Sequence, residues 1–215
     1  MYINLVSCSN SKTNLTKAHN DSPKILASIE VRDNYFSPKE GIPFNEASDL
    51  VITYLKKEVK GDIEAAVEIE EITIQEAWEN AGIQLYRVKL DYAWLDGVAI
   101  VRENKVLKVL QGMLTHNVFL SDLDHDNIYE VYTNISMGSG IVSNEILGFN
   151  IALNESYYLS RRGNEDLSLF IQDEKLMVKV KPHIEQNVTE TKVGLIVLKI
   201  VGNERNLEVE LERGK

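Results

Sequence analysis

Asp122, Asp124 and Asp126 stand at alternate positions in the stretch FLSDLDHDNIYEVY, and Glu130 follows four residues after the last of them. Carboxylates crowded this closely repel one another unless a cation lies between them. Calcium is a hard cation that takes about six to eight oxygen ligands, several of them carboxylates. A tight loop aims the side chains at its first, third and fifth positions inward and offers a backbone carbonyl at the seventh. That carbonyl would belong to Ile128, and Glu130 at the ninth position would add a carboxylate directly or through water. The competing reading is an acidic, solvated β-turn that holds no metal. A lone cysteine, Cys8, is the other residue placed for chemistry.

The acidic spacing resembles the D-x-D-x-D-G-x-x-D/E loops of FG-GAP-type and other β-rich bacterial surface proteins. The resemblance spans about a dozen residues and the strand after them, and it implies a structural calcium ion between strands. Asn127 stands where those loops have glycine, and Asn accepts the left-handed conformation better than most residues. The loop is not an EF-hand, because Thr133 occupies the position of the bidentate Glu and a strand-like run replaces the second helix.

One cysteine excludes an internal disulfide framework and a cysteine-based zinc site. Leu5-Val6-Ser7-Cys8 is similar to the lipobox of bacterial lipoproteins. The resemblance implies cleavage before Cys8 and a diacylglycerol on its sulfur, which would anchor the protein in a membrane of the bacterial cell envelope. Only Met1 to Asn4 precede the box, so the basic and apolar regions of a signal segment would have to come from a longer reading frame. The run SNSKTNLTKAHNDS, from Ser9 to Ser22, is too polar to bury surface and reads as a flexible tether. An incidental cysteine on a plain disordered terminus is the alternative.

The elements that must carry these residues are mostly strands. Residues 1–22 are expected to be the lipidation site and tether, and 23–215 a single α+β domain. Lys24 to Val31 is expected to be a strand. Ala47, Leu50, Val51, Tyr54 and Leu55 form one apolar stripe at helical spacing, with Asn45 as N-cap and Gly61 as terminator. Thr73-Ile74-Gln75-Glu76 reads as a capping box for a short second helix that stops at Gly82. Strands are expected at 85–90, 98–101, 106–110, 118–120, 129–135, 146–153, 167–171, 176–180, 194–201 and 207–211. Tight turns fall at Glu103-Asn104, Asp173-Glu174 and Gly202-Asn203. Such hairpin spacing predicts a mostly antiparallel β-sheet or sandwich with an amphipathic helix and a short second helix.

A formal net charge of -10 repels phosphates, so nucleic acid is not an expected partner. The sequence has no apolar run of the roughly 18 residues that a spanning helix needs. Met137-Gly138-Ser139-Gly140 lacks the G-x-S-x-G pattern of a nucleophile elbow and reads as a loop. No two of the four histidines, His19, His116, His125 and His183, have zinc-site spacing. The functional expectation is an envelope lipoprotein that binds or supports rather than catalyses, with a calcium site. An envelope hydrolase and a cytoplasmic globular protein remain open at this point.

Overall fold

The computed structural model describes residues 26–58, 67–90, 95–138, 142–161, 165–182, 190–202 and 204–212. The fold is α+β and mostly antiparallel β, as the hairpin spacing predicted. Among the described residues, thirteen strands form three sheets. Sheet A has the order β1 (Ile29–Val31), β6 (Leu114–Ser121), β7 (Glu130–Met137), β8 (Ser143–Asn150) and β9 (Glu155–Leu159). Sheet B is β2 (Val67–Glu71), β3 (Gln84–Leu90), β4 (Leu95–Arg102) and β5 (Lys105–Gly112). Sheet C is β10 (Glu165–Gln172), β11 (Lys175–Pro182), β12 (Lys192–Val201) and β13 (Glu204–Leu211).

Strand parity determines how these sheets stack. Helix α1 (Phe44–Glu58) buries Ala47, Val51 and Leu55 against Tyr86, Val88, Ala99 and Val101 of sheet B. The other face of sheet B presents Leu85, Val98 and Ile100 to Val118, Leu120, Val131 and Phe149 of sheet A. The far side of sheet A presents Phe119, Tyr132 and Ile146 to Leu167, Leu169, Val178 and Val180 of sheet C. The layers therefore run α1, sheet B, sheet A, sheet C, and sheet A is covered on both faces. Helix α2 (Gln75–Ala81) closes the side of the core between sheets A and B with Ala77 and Ala81. Among the described residues no helix is long and apolar enough to cross a membrane.

Several local expectations are met. Glu103 and Asn104, and likewise Asp173 and Glu174, have positive φ, as a two-residue hairpin turn that matches strand twist requires. Gly82 ends α2 at φ 63°, its N–H donating to the Trp78 carbonyl and that of Ile83 to the Ala77 carbonyl. Others are corrected. The capping box does not form. Ile74 is the N-cap of α2, and the Thr73 hydroxyl is taken by Glu71 and by the backbone of Leu85 on β3. A tertiary partner has outcompeted the local one. Asn45 lies inside α1, whose first bond runs from the Ala47 N–H to the Pro43 carbonyl. Of the strand expected over Lys24 to Val31, Ile29–Val31 is a strand and Leu26 to Ser28 is not. Strands β2 and β9 were not foreseen, although Val67-Glu68-Ile69-Glu70 alternates with period two. Gly61, Ser139, Gly140, His183 and Asn203 lie outside the described residues, as does everything before Leu26.

Some polar atoms inside sheet A are satisfied across layers. The buried Asn134 amide donates to the Leu167 carbonyl at 3.0 Å and accepts from the Leu169 N–H at 2.6 Å, tying β7 to β10. Gly148 stands opposite Tyr132 across the β7–β8 pair, and the Tyr132 ring lies over it. A methyl group there would come within 2.5 Å of Tyr132 Cε1, closer than packed carbon atoms approach. Gly148→Ala is therefore expected to destabilise the protein by about 1–3 kcal/mol. Thermal unfolding checks this, and an unchanged midpoint would show that the ring shifts freely.

Candidate metal centre

The loop between β6 and β7 is built by its own side chains. His125 and Asn127 adopt φ of 61° and 67°, so Asn127 takes the left-handed place expected of it. The Asp126 N–H donates to Asp124 Oδ1 at 3.3 Å, and the Ile128 N–H to Asp126 Oδ1 at 2.7 Å, two successive Asx turns. The Asn127 N–H donates to Asp122 Oδ2 at 3.2 Å. From α2, Asn80 grips the outside of the loop. Its Nδ2 donates to the Asn127 carbonyl at 2.9 Å, and its Oδ1 accepts from the Tyr129 N–H at 2.7 Å.

This loop folds onto the end of β7. Asp122, Asp124 and Glu130 each bring a carboxylate oxygen into a group whose members lie within 4.8 Å of one another. Two oxygens on one calcium ion can be at most about 5 Å apart, twice a bond of roughly 2.3–2.6 Å, so the spacing suits such an ion. Asp126 is not in the group. It is exposed, and its carboxylate is occupied by the Ile128 N–H. Ile128 gives its N–H to Asp126 and packs its side chain against the core between sheets A and B. His125 is exposed, and His116 bonds Ser136 instead of approaching the loop.

Register supplies a residue that no sequence pattern singled out. Val131 pairs with Phe149, which sets Asn150 beside Glu130 on the face of sheet A toward sheet C. Asn150 Nδ2 donates to Asp124 Oδ2 at 2.9 Å and to Glu130 Oε1 at 3.1 Å. Its Oδ1 accepts from the Leu153 N–H at 2.7 Å, which fixes the direction of the amide. Glu130 Oε2 accepts from the Leu123 N–H at 2.8 Å and the Tyr132 hydroxyl at 3.2 Å. Asp122 is only 2% exposed, and its Oδ1 is buried with no hydrogen-bond partner among the described residues. A buried carboxylate oxygen without a partner costs on the order of 1–3 kcal/mol or more.

Burial dominates the electrostatics. It pushes the Glu130 carboxyl from the usual 4.5 up to about 8, with the charge of Asp124 adding to it, while the Leu123 N–H and Tyr132 hydroxyl oppose the rise. Burial raises Asp122 as well, against the N–H of Asn127. The metal-free cluster therefore holds a proton at neutral pH where a cation would otherwise supply the positive charge. Comparison with models of protein families, with curated proteins and with solved structures found no match to this chain.

An unfolded glutamate gives up its proton near the usual 4.5, whereas folded Glu130 keeps it up to about 8. Between those values the folded state binds more protons, so rising pH favours unfolding. With chelator present, stability is expected to be fullest below about pH 4.5 as far as Glu130 is concerned. It should then fall by up to roughly 1 kcal/mol per pH unit on the way to about pH 8. Glu130→Gln should flatten that part of the profile. Denaturant titrations at several pH values check this, and parallel profiles for the two proteins would contradict it.

Proposed function

We propose that this chain is a calcium-binding protein of the bacterial cell envelope, held at a membrane through a lipid on Cys8, and that Asp122, Asp124 and Glu130 hold the ion. The observation that carries the metal reading is that Asp122, whose Oδ1 is buried without a partner among the described residues, brings a carboxylate oxygen within 4.8 Å of oxygens of Asp124 and Glu130. A cation there gives that oxygen the partner it lacks and replaces the proton on Glu130. An ordinary acidic turn would turn its carboxylates to water, whereas Asp122 and Glu130 are buried. Calcium suits the site better than magnesium. The donors are held by an irregular loop, and magnesium demands near-octahedral geometry and keeps its waters. The ion would join the β6–β7 loop to Glu130 at the start of β7, a structural role. Envelope attachment is supported by Leu5-Val6-Ser7-Cys8 and the polar run after it. Cys8 lies outside the described residues.

Thermal unfolding tests the ion. Calcium at about 100 times its dissociation constant stabilises by roughly 2.7 kcal/mol, a rise of several degrees for a chain of this size. Asp122→Asn should abolish that rise without lowering the midpoint in chelator, because it removes a buried charge. Magnesium at the same concentration should give a smaller shift. No calcium shift in the unaltered protein would leave the loop an acidic turn. The anchor has its own test. Expressed in bacteria from its full reading frame, the protein should incorporate labelled palmitate and partition with membranes, and Cys8→Ser should lose both. Label retained by Cys8→Ser would refute the assignment of the anchor.

A further inference from the structure

A cavity of about 440 Å³ opens beside the carboxylate cluster. Its origin is a split in sheet C. Strands β11 and β12 pair only between Met177↔Leu195 and Val180↔Lys192, while β12 runs on against β13 as far as Val201. Beyond Leu195, β12 parts from β11. The turn of the β10–β11 hairpin is held elsewhere, by the Ser28 N–H on the Glu174 carbonyl at 2.8 Å. The gap between the diverging strands is the cavity, and its walls are chiefly apolar, with Leu26, Leu176, Leu195, Ile196 and Leu198 among them. Its volume falls within the roughly 300–1,000 Å³ of small-molecule sites.

The cavity and the metal cluster share two residues. Asp122 and Asp124 line both, whereas Glu130 belongs to the cluster alone. An ion held by the three thus has Glu130 and sheet A behind it and the apolar slot on the side of the two aspartates. Its shell is incomplete, because one oxygen of each carboxylate already accepts a backbone N–H, from Asn127, Asp126 and Leu123 respectively. Calcium needs about six to eight oxygens, so positions remain for oxygens that come from the cavity. Lys175 and Glu174 both line the cavity wall and their charges oppose each other, so the ion itself is what would attract an anionic head. We propose that the slot between β11 and β12 binds a small anionic amphiphile, its carboxylate head completing the shell of the ion at Asp122 and Asp124 and its apolar tail lying along Leu195, Ile196 and Leu198. This inference rests on the calcium reading above.

Calorimetric titration of the full chain with octanoate tests it, with 1-octanol as the control that lacks the head. Octanoate is expected to bind the calcium-loaded protein at least ~tenfold more tightly than the chelator-treated protein, a difference of about 1.4 kcal/mol. 1-Octanol should show no such dependence on calcium. Leu195→Trp, which fills the slot from a position outside the apolar core between sheets A and C, should abolish octanoate binding and keep the calcium-dependent rise in melting temperature. Ile200→Trp, at a site 64% exposed, serves the same purpose if Leu195→Trp does not fold. Octanoate binding that ignores chelator, or survives in the filled variants, would overturn the proposal. So would no octanoate binding by a protein that calcium stabilises, and in that case the calcium site itself stands. A protein that calcium does not stabilise sinks both readings together.

Discussion

The five strands of sheet A carry buried side chains on both faces because sheet B covers one side and sheet C the other. Antiparallel sheets commonly leave one face in water, where polar side chains cost nothing. Here each polar atom on β7 and β8 must find a partner inside the protein. Asn134 does so by completing backbone bonds of β10, and buried Glu145 does so by accepting from the hydroxyls of Ser143, Tyr158 and Ser160. The Tyr132 hydroxyl reaches Glu130, and Gly148 leaves the room that its ring needs.

The acidic loop meets this sheet at its end, and there the supply of donors runs out. Glu130 and Asn150 lie side by side on the face toward sheet C, and Asn150 reaches both Glu130 and Asp124. Backbone N–H groups of the loop serve one oxygen of each carboxylate. Asp122 Oδ1 is left over. Three carboxylates, two of them desolvated, cannot all be ionised without a positive charge among them. The raised Glu130 carboxyl and the proposed ion are two answers to that one electrostatic demand.

Sheet C meets the same corner with a defect of its own. Where β12 leaves β11, apolar side chains that would have packed within a sheet face a gap, and Asp122 and Asp124 stand at its edge. A charged cluster and an apolar slot in contact invite a molecule with both kinds of surface. On the lipoprotein reading such a site would work outside the cytoplasm, within reach of amphiphiles from the membrane that carries the anchor.

Features encoded within a few residues were legible in the sequence. The α1 stripe, the αL stop at Gly82, the hairpin turns at Glu103-Asn104 and Asp173-Glu174 and the left-handed Asn127 all follow from backbone sterics and periodicity. The acidic spacing pointed to the loop where Asp122, Asp124 and Glu130 gather, yet it did not separate Asp126 from its neighbours, because which carboxylate faces inward depends on the surface the loop folds against. Thr73 shows the same limit: its pattern promised a cap, and a strand twelve residues on took the hydroxyl instead. Asn80 and Asn150 carried no local signal at all, since one reaches the loop from a helix 49 residues before Tyr129 and the other by the register of β7 on β8. By itself the sequence determined the turns, the helices and a crowd of carboxylates. The order of the layers, the burial that makes those carboxylates costly and the gap beside them were decided by tertiary structure, because strand register and sheet stacking depend on side chains far apart in the chain meeting across a shared core.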